Sequence, residues 1–281
     1  MTIPLEDSFS DVLGKAQRGL KLTDAALAER ADVSESDLAA ARRGSFDPNI
    51  IRALAPVLDL DAEALLALAS GAYKPAEVSL NGLESFNTPF EDMTVNNYLV
   101  WDEVSKEAAV FDSGADATPL LESLGRKKLT LKLLLLTHTH FDHVFEMDRI
   151  AEKTGAEVFV GDREPPLAGT RIFAAGQQFL IGGLSIETRL TRGHSEGGIT
   201  YVVHGLARPL AIVGDAVFAG SMGGGAFSYA EALRTNRAEI MTLPDTTVLA
   251  PGHGPLTTVA EQKRWNPFLA KGNLSEHPPA P

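Results

Sequence analysis

Within six residues the chain carries three imidazoles and a carboxylate, in Thr137-His138-Thr139-His140-Phe141-Asp142-His143. They follow the apolar run Leu133–Leu136, which reads as a buried strand. Crowding imidazoles at a strand end is costly unless a cation organises them as neutral donors, so the pattern points to a metal centre and away from a solvated polar loop. His138 and His140, two apart, can share one side as the strand leaves its sheet. Asp142 and His143 can then turn toward a neighbouring point. Three further donors each follow an apolar run and sit among turn residues. His194 lies in Arg192-Gly193-His194-Ser195-Glu196-Gly197-Gly198, Asp215 in Ile212-Val213-Gly214-Asp215, and His253 in Ala250-Pro251-Gly252-His253-Gly254. Each alone could be an ordinary loop residue. Beside the cluster, all three can converge on it at one end of a pair of sheets. Nitrogen and oxygen donors without thiolate suit zinc, iron or manganese. His204, at a hairpin turn, and His277, in the Pro-rich tail, read as surface residues.

Two regions of different grammar must position these groups. Residues 1–75 are rich in Ala and Leu and poor in β-branched residues, with apolar residues at helical intervals. Thr23 can cap a helix through Arg30, Ser34 one through Arg43, and Asp47-Pro48 one through Leu58. A last helix covers Asp61–Ala69, which gives five short helices in a small bundle. Gly71 to Pro75 reads as a linker, so the expected division is 1–75 and 76–281. From Val78 onward short strands alternate with turns and helices. The strand expectations are Val95–Trp101, Ala108–Phe111, Leu131–Thr137, Glu157–Val160, Ser185–Arg189, Ile199–His204, Ala211–Gly214 and Thr247–Ala250. Helices are expected over Ala117–Leu124, Glu146–Thr154, Tyr229–Thr242 and Val259–Arg264.

The order His-x-His-x-Asp-His, Gly-His-Ser, Gly-Asp, Pro-Gly-His-Gly resembles the metallo-β-lactamase-fold hydrolases, over about residues 78–270. The stretch from Pro251 to Thr258, with Glu261 and Asn266-Pro267-Phe268, is similar to the small bacterial members of the glyoxalase II-like branch. The resemblance implies an α+β fold: a four-layer αββα sandwich, here preceded by the small all-α bundle. It also implies two divalent metal ions, with zinc preferred over iron or manganese. His138, His140 and His194 would hold the first, Asp142, His143 and His253 the second, and Asp215 would bridge them. The chemistry that follows is attack of activated water on a thioester or related ester, as in hydroxyacylglutathione hydrolases. Asp142 is the ligand that could double as a proton acceptor if the second metal were absent. Persulfide dioxygenases also resemble this family and use one iron, which gives an oxidoreductase alternative. The loop Gly220–Phe227 is expected to border the substrate pocket. Only 28 residues follow His253, which leaves no room for the helical domain that helps the larger glyoxalase II enzymes bind glutathione.

Residues 8–70 resemble the helix-turn-helix domain of phage-repressor-type regulators, on Leu22-Thr23, Leu27-Ala28, Val33-Ser34, Leu38, Gly44 and Pro48. That resemblance implies a DNA-binding regulator whose helix beginning near Ser34 reads the major groove. Charge argues against it: residues 1–75 hold eight Lys and Arg against twelve Asp and Glu, and Glu35 and Asp37 sit at the tip that would face phosphate. The expected role is instead a homodimer contact or a cover for the active site, with a small-molecule substrate as partner. The whole chain, 281 residues with net charge −12, is also unsuited to nucleic acid. Its lack of cysteine excludes disulfides, Cys-ligated zinc, iron–sulfur clusters and Cys nucleophiles. No basic-then-apolar leader and no long apolar run are visible, so the expected address is the cytoplasm, away from membranes.

Overall fold

The computed structural model describes residues 3–270. Two six-stranded mixed sheets stack face to face. The first runs in spatial order β1 (Leu83–Phe90), β2 (Met93–Trp101), β3 (Glu107–Phe111), β4 (Thr130–Leu135), β5 (Glu157–Gly161), β6 (Thr170–Phe173). The second contains β7 (Gln178–Ile181), β8 (Leu184–Leu190), β9 (Ile199–His204), β10 (Leu210–Gly214), β11 (Val248–Pro251) and β12 (Thr257–Thr258), again in spatial succession. Pairing is parallel from β3 to β6, and between β10 and β11. Parallel strands buried on both faces need continuous apolar runs, and the Leu133–Leu136 run supplies one. Phe111, Tyr201, Phe173 and Phe179 fill the space between the sheets, Phe111 and Tyr201 with centroids 5.3 Å apart.

Helices cover both outer faces, completing the αββα sandwich. On the first sheet lie α6 (Thr118–Lys127) and α8 (Met147–Thr154), through Leu120, Leu124 and Ile150; the short α7 (Phe141–Val144) belongs to the ligand loop between β4 and α8. On the second lie α9 (Tyr229–Thr235), continued by a π-helical turn over Asn236–Ile240, and α10 (Val259–Trp265). The same face carries all five N-terminal helices: α1 (Phe9–Gly19), α2 (Asp24–Ala31), α3 (Glu35–Arg42), α4 (Pro48–Val57) and α5 (Ala62–Ala69). Thr23, Ser34 and Asp47 cap three of them through their side chains, as the sequence predicts; Asp61, expected as the first residue of the last helix, is its cap instead, and Ser8 caps α1 in a reciprocal box with Asp11.

The N-terminal helices do not stand apart. Leu13, Leu27, Leu54 and Leu65 form one hydrophobic core with Val202, Val213, Leu249 and Phe268 of the sandwich. The ring of Tyr229 lies against Gly19 so closely that a β-carbon there would come within 2.2 Å of it. Asp61 N–H donates to the Pro267 carbonyl, and Gln262 Nε2 donates to the Tyr73 hydroxyl at 3.1 Å.

All eight expected strands are present, Ile199–His204 with the expected bounds and the others with ends shifted by at most two residues. Four more, β1, β6, β7 and β12, lie at or beside sheet edges. The expected helix Tyr229–Thr242 ends its α-helical part at Thr235 and continues as the π turn. His204 is exposed, as expected; His277 lies outside the described residues. No helix among the described residues is long and apolar enough to cross a membrane.

Candidate metal centre

The seven expected donors meet at one end of the sandwich. His138, His140, Asp142 and His143 follow β4; His194 follows β8, Asp215 follows β10, and His253 follows β11. Each therefore sits where a strand leaves a sheet, held by a rigid element on one side and free to turn on the other. At β10 the turn is tight: pairing with β11 shifts between Ile212 and Gly214, and Gly214 adopts φ +50°. A side chain at Gly214 would meet Thr137 Oγ1 at 2.5 Å, so only glycine lets the chain bend there to present Asp215.

Two groups of ligand atoms form, each within 4.8 Å: His138, His140, His194 and Asp215 in one, Asp142, His143 and His253 in the other. Asp215 faces both. Its Oδ2 lies 3.3 Å from His194 Nε2 and 3.5 Å from His253 Nε2, and its Oδ1 lies 3.4 Å from His143 Nε2. Asp142 Oδ2 stands 3.3 Å from His253 Nε2 and 3.5 Å from His143 Nε2.

The outer ring nitrogens of His138, His143, His194 and His253 are occupied, which orients the inner ones. His143 Nδ1 donates to Asp112 Oδ2 at 2.8 Å, His253 Nδ1 to the Thr94 carbonyl at 2.7 Å, and His194 Nδ1 to the Gly224 carbonyl at 3.0 Å. Thr137 Oγ1 gives its proton to Asp112 Oδ2, so His138 Nδ1 donates to that hydroxyl at 3.0 Å. The Nε2 atoms of His138 and His194 are then bare lone pairs. Both point at His140 Nδ1, from 3.0 and 2.9 Å. A single proton on His140 cannot satisfy two acceptors, whereas one cation satisfies all three nitrogens. His143 Nε2 and Asp215 Oδ1, buried and facing each other, have no hydrogen-bond partner. Gly252 leaves the space beside them open: a β-carbon there would lie 2.1 Å from Asp215 Oδ1. The donor set fits two divalent cations.

Electrostatics separate the two groups. Burial holds His138 well below the usual imidazole range, aided by neighbouring imidazoles, and burial with His194 lowers His140. These rings are neutral, the form that binds metal. In the second group burial also pushes His143 and His253 down, but carboxylates overrule it. Asp112 and Asp215 lift His143 to about 10, and Asp215 and Asp142 lift His253 to about 11. Burial would raise Asp215, yet His253 and His143 hold it well below the carboxylate range, and His253 does the same more mildly for Asp142. Without metal, the second group is thus a set of ion pairs at neutral pH. Loading it must expel the protons on His143 and His253. We expect up to two protons released per chain at pH 7.5, and affinity that rises with pH until about 11, where both rings have lost the proton. Calorimetric titration with a divalent cation in buffers of different ionisation enthalpy measures the count; zero release would contradict these protonation states.

Two supporting carboxylates are absent from the sequence reading. Asp112 is buried, in the left-handed region at φ +56°, and accepts from Thr137 N–H at 2.7 Å besides His143 and Thr137 Oγ1. Such a conformation in a non-glycine residue is strained, and here it aims one carboxylate at two ligand-bearing turns. Its signal in the sequence is an apolar run that ends in Asp-Ser-Gly. Glu164 is buried after β5 and accepts from Thr139 N–H at 2.9 Å, Thr139 Oγ1 at 2.7 Å and Gly197 N–H at 2.8 Å. It ties the His138–His140 turn to the His194 loop.

His140 is the exposed ligand and Asp142 is partly exposed, so the centre opens on that side. A cavity of about 420 Å³ adjoins it, lined by Thr139, His140, Arg163, Glu164, Ser195 and Glu196 among others. The loop Gly220–Phe227, expected at the substrate pocket, contributes none of that lining. It backs the metal centre through the Gly224 carbonyl.

Comparison with known proteins agrees with this geometry. The chain is 28% identical over 198 residues to hydroxyacylglutathione hydrolase GloC of Haemophilus influenzae, which covers 62% of this chain and 92% of that one. It superposes on the crystal structure of the BLEG-1 B3 metallo-beta-lactamase with a TM-score of 0.58 and 30% identity, covering 66% of this chain and 99% of that one. It also superposes on TTHA1623 in a di-iron-bound form, with a TM-score of 0.55 and 27% identity, over 66% of this chain and 100% of that one. Residues 91–253 match the metallo-beta-lactamase superfamily, and with the sandwich and its converging ligands in place, the chain belongs to that superfamily.

Proposed function

We propose that this protein hydrolyses a thioester or related activated ester at a two-metal centre. The observation that carries the reading is Asp215, whose carboxylate faces both ligand groups at 3.3–3.5 Å. The resemblance to a hydroxyacylglutathione hydrolase supports the substrate class. When bound, two divalent cations at these donors supply an activated water and positive charge for the oxyanion. Zinc is the preferred ion, with iron or manganese compatible with the same donors.

The chain's own residues do the rest. His138, His194, His143 and His253 are fixed in one tautomer by their outer hydrogen bonds, so the centre is organised before substrate arrives. The carbonyl carbon enters from the open side at His140. Water oxygen bonds to that carbon, the carbon–sulfur bond breaks, and the thiolate leaves. Asp142 is ionised at neutral pH and stands at the open side; its Oδ2 faces His143 and His253 and would hold the second cation, which leaves Oδ1 as the oxygen that takes the proton from the water. The cavity beside His140 takes one arm of the ester, with Arg163 and Glu196 on its wall.

The test is metal quantitation on chain purified without chelator, together with a panel of thioesters and persulfides. Two ions per chain with release of free thiol is the expected result. One iron per chain with oxygen uptake on a persulfide would replace this reading with an oxidoreductase.

A further inference from the structure

The segment that leads into α1 lies far from the ligands in sequence and beside them in space. Asp7 is buried, and its Oδ2 accepts from Ser221 Oγ and from Lys15 Nζ, each at 2.5 Å. Lys15 also donates to the Met222 carbonyl at 2.9 Å and stands 5.1 Å from the centre of the Phe218 ring. One ion pair, with Asp7 buried and Lys15 half-buried, thus grips the loop between Asp215 and Gly224 at its far end.

That loop is what the metal centre leans on. It begins at Asp215, closes on itself where Gly223 N–H donates to the Asp215 carbonyl at 3.0 Å, and ends at the Gly224 carbonyl that orients His194. A side chain on Gly223 would come within 2.8 Å of His194 Nδ1, so loop and ligand are in close contact. Phe218 packs edge-on against His253, with centroids 5.7 Å apart. The same N-terminal segment also runs beside Gly254, next to His253: a side chain there would lie 3.2 Å from Glu6 N. Two of the three ligand-bearing loops of the second sheet, those of Asp215 and His253, therefore abut residues 4–15, which precede the part of the chain matching the superfamily.

We propose that Asp7, paired with Lys15 and Ser221, is a positioning residue that sets the metal affinity of the centre. It touches no ligand. It fixes the loop whose two ends present Asp215 and aim His194, so slackening it costs pre-organisation at the metal site. The inference concerns metal binding and holds whatever the substrate is. A buried pair that has lost one partner leaves an uncompensated charge, so the loop must open or admit water to relieve it.

The experiment uses the full chain with Asp7→Asn, and measures cobalt(II) or zinc affinity by competition with a chromogenic chelator. The absorption bands of bound cobalt(II) give a second readout, and thermal unfolding of the metal-free protein gives a third. Loss of an outer-shell support weakens metal binding about 10–100-fold. We expect a loss in that range, with altered cobalt(II) bands, larger than any change the unfolding midpoint of the metal-free protein accounts for. Lys15→Met keeps the apolar stem and serves as the second variant if Asp7→Asn gives no folded protein; the same loss is expected. Metal affinity and cobalt(II) bands equal to those of the wild type in either folded variant would overturn the proposal, whatever happens to the midpoint, because a merely structural contact would move only the latter.

Discussion

An Asp215→Asn chain is expected to fold and to lose both metal ions. Asp215 offers the one carboxylate that faces His194, His143 and His253 together. Asparagine keeps the volume but removes the charge, and one side of its amide presents hydrogens to imidazole nitrogens. The first group would retain three imidazoles and no anion. The second would lose the carboxylate that helps lift His143 and His253, so their pKa values should fall toward the usual imidazole range. Since a direct ligand is removed, affinity should drop by more than the roughly 10–100-fold that outer-shell changes cause. Elemental analysis after dialysis reads the result, and far-ultraviolet circular dichroism confirms the fold. His204→Ala is the matched control: His204 is exposed, 3.5 Å from Glu187, and its loss should leave the metal content unchanged. Two ions per chain in the Asp215 variant would remove this residue from the centre.

Deletion of residues 1–75 should yield aggregated protein and no active catalytic fragment. The sequence suggests a separable bundle joined by a linker at Gly71–Pro75, and the packing argues for one cooperative unit. The outer face of the second sheet presents Val202, Ala211, Val213 and Leu249 to the shared core, and the N-terminal helices help cover them. Fully burying one large aliphatic side chain is worth about 1.5–3 kcal/mol. Baring several such groups costs on the order of 10 kcal/mol, as much as a whole domain's net stability. Tyr73 would go with the deleted piece, and with it one of the partners of Gln262 and the ring beside Trp265, 6.4 Å between centroids. Size-exclusion chromatography and dye binding to exposed apolar surface give the readout. A soluble, monomeric, metal-loaded fragment would show that the sandwich stands alone.

The convergence of the seven donors was legible in the sequence because their chemistry is so rarely used for anything else. Three imidazoles after an apolar strand have few purposes, and the others follow apolar runs ending in glycine. Asp112 escaped that logic. A single aspartate after a strand is ordinary, and only its left-handed backbone and its three donors reveal the role. Glu164 escaped for the opposite reason: it joins two loops that no local pattern connects. The central strands were legible since burial on both faces demands continuous Val, Leu and Ile. Edge strand β1, by contrast, carries Asn87, Thr88 and Pro89, which an edge tolerates and a periodicity search discards. The relation of the helices to the sheet was hidden altogether. An amphipathic helix shows that it has an apolar face, and not what that face is for.

The grip of Asp7 on Ser221 spans 214 residues of chain. During synthesis the first helix emerges long before its counterpart on the loop exists. At translation speeds of about 5–20 residues per second, roughly 10–40 s pass between the two. Over that interval the apolar stripe of α1, with Val12, Leu13 and Ala16, can be shielded by neighbouring N-terminal helices but cannot dock in its final place. The nascent chain must therefore hold a partly assembled helical layer in waiting and close it last, as His253 arrives. Assembly of the donor cluster therefore waits on the strand that carries His253, and a chain terminated before that strand leaves these helices exposed and the donor set incomplete.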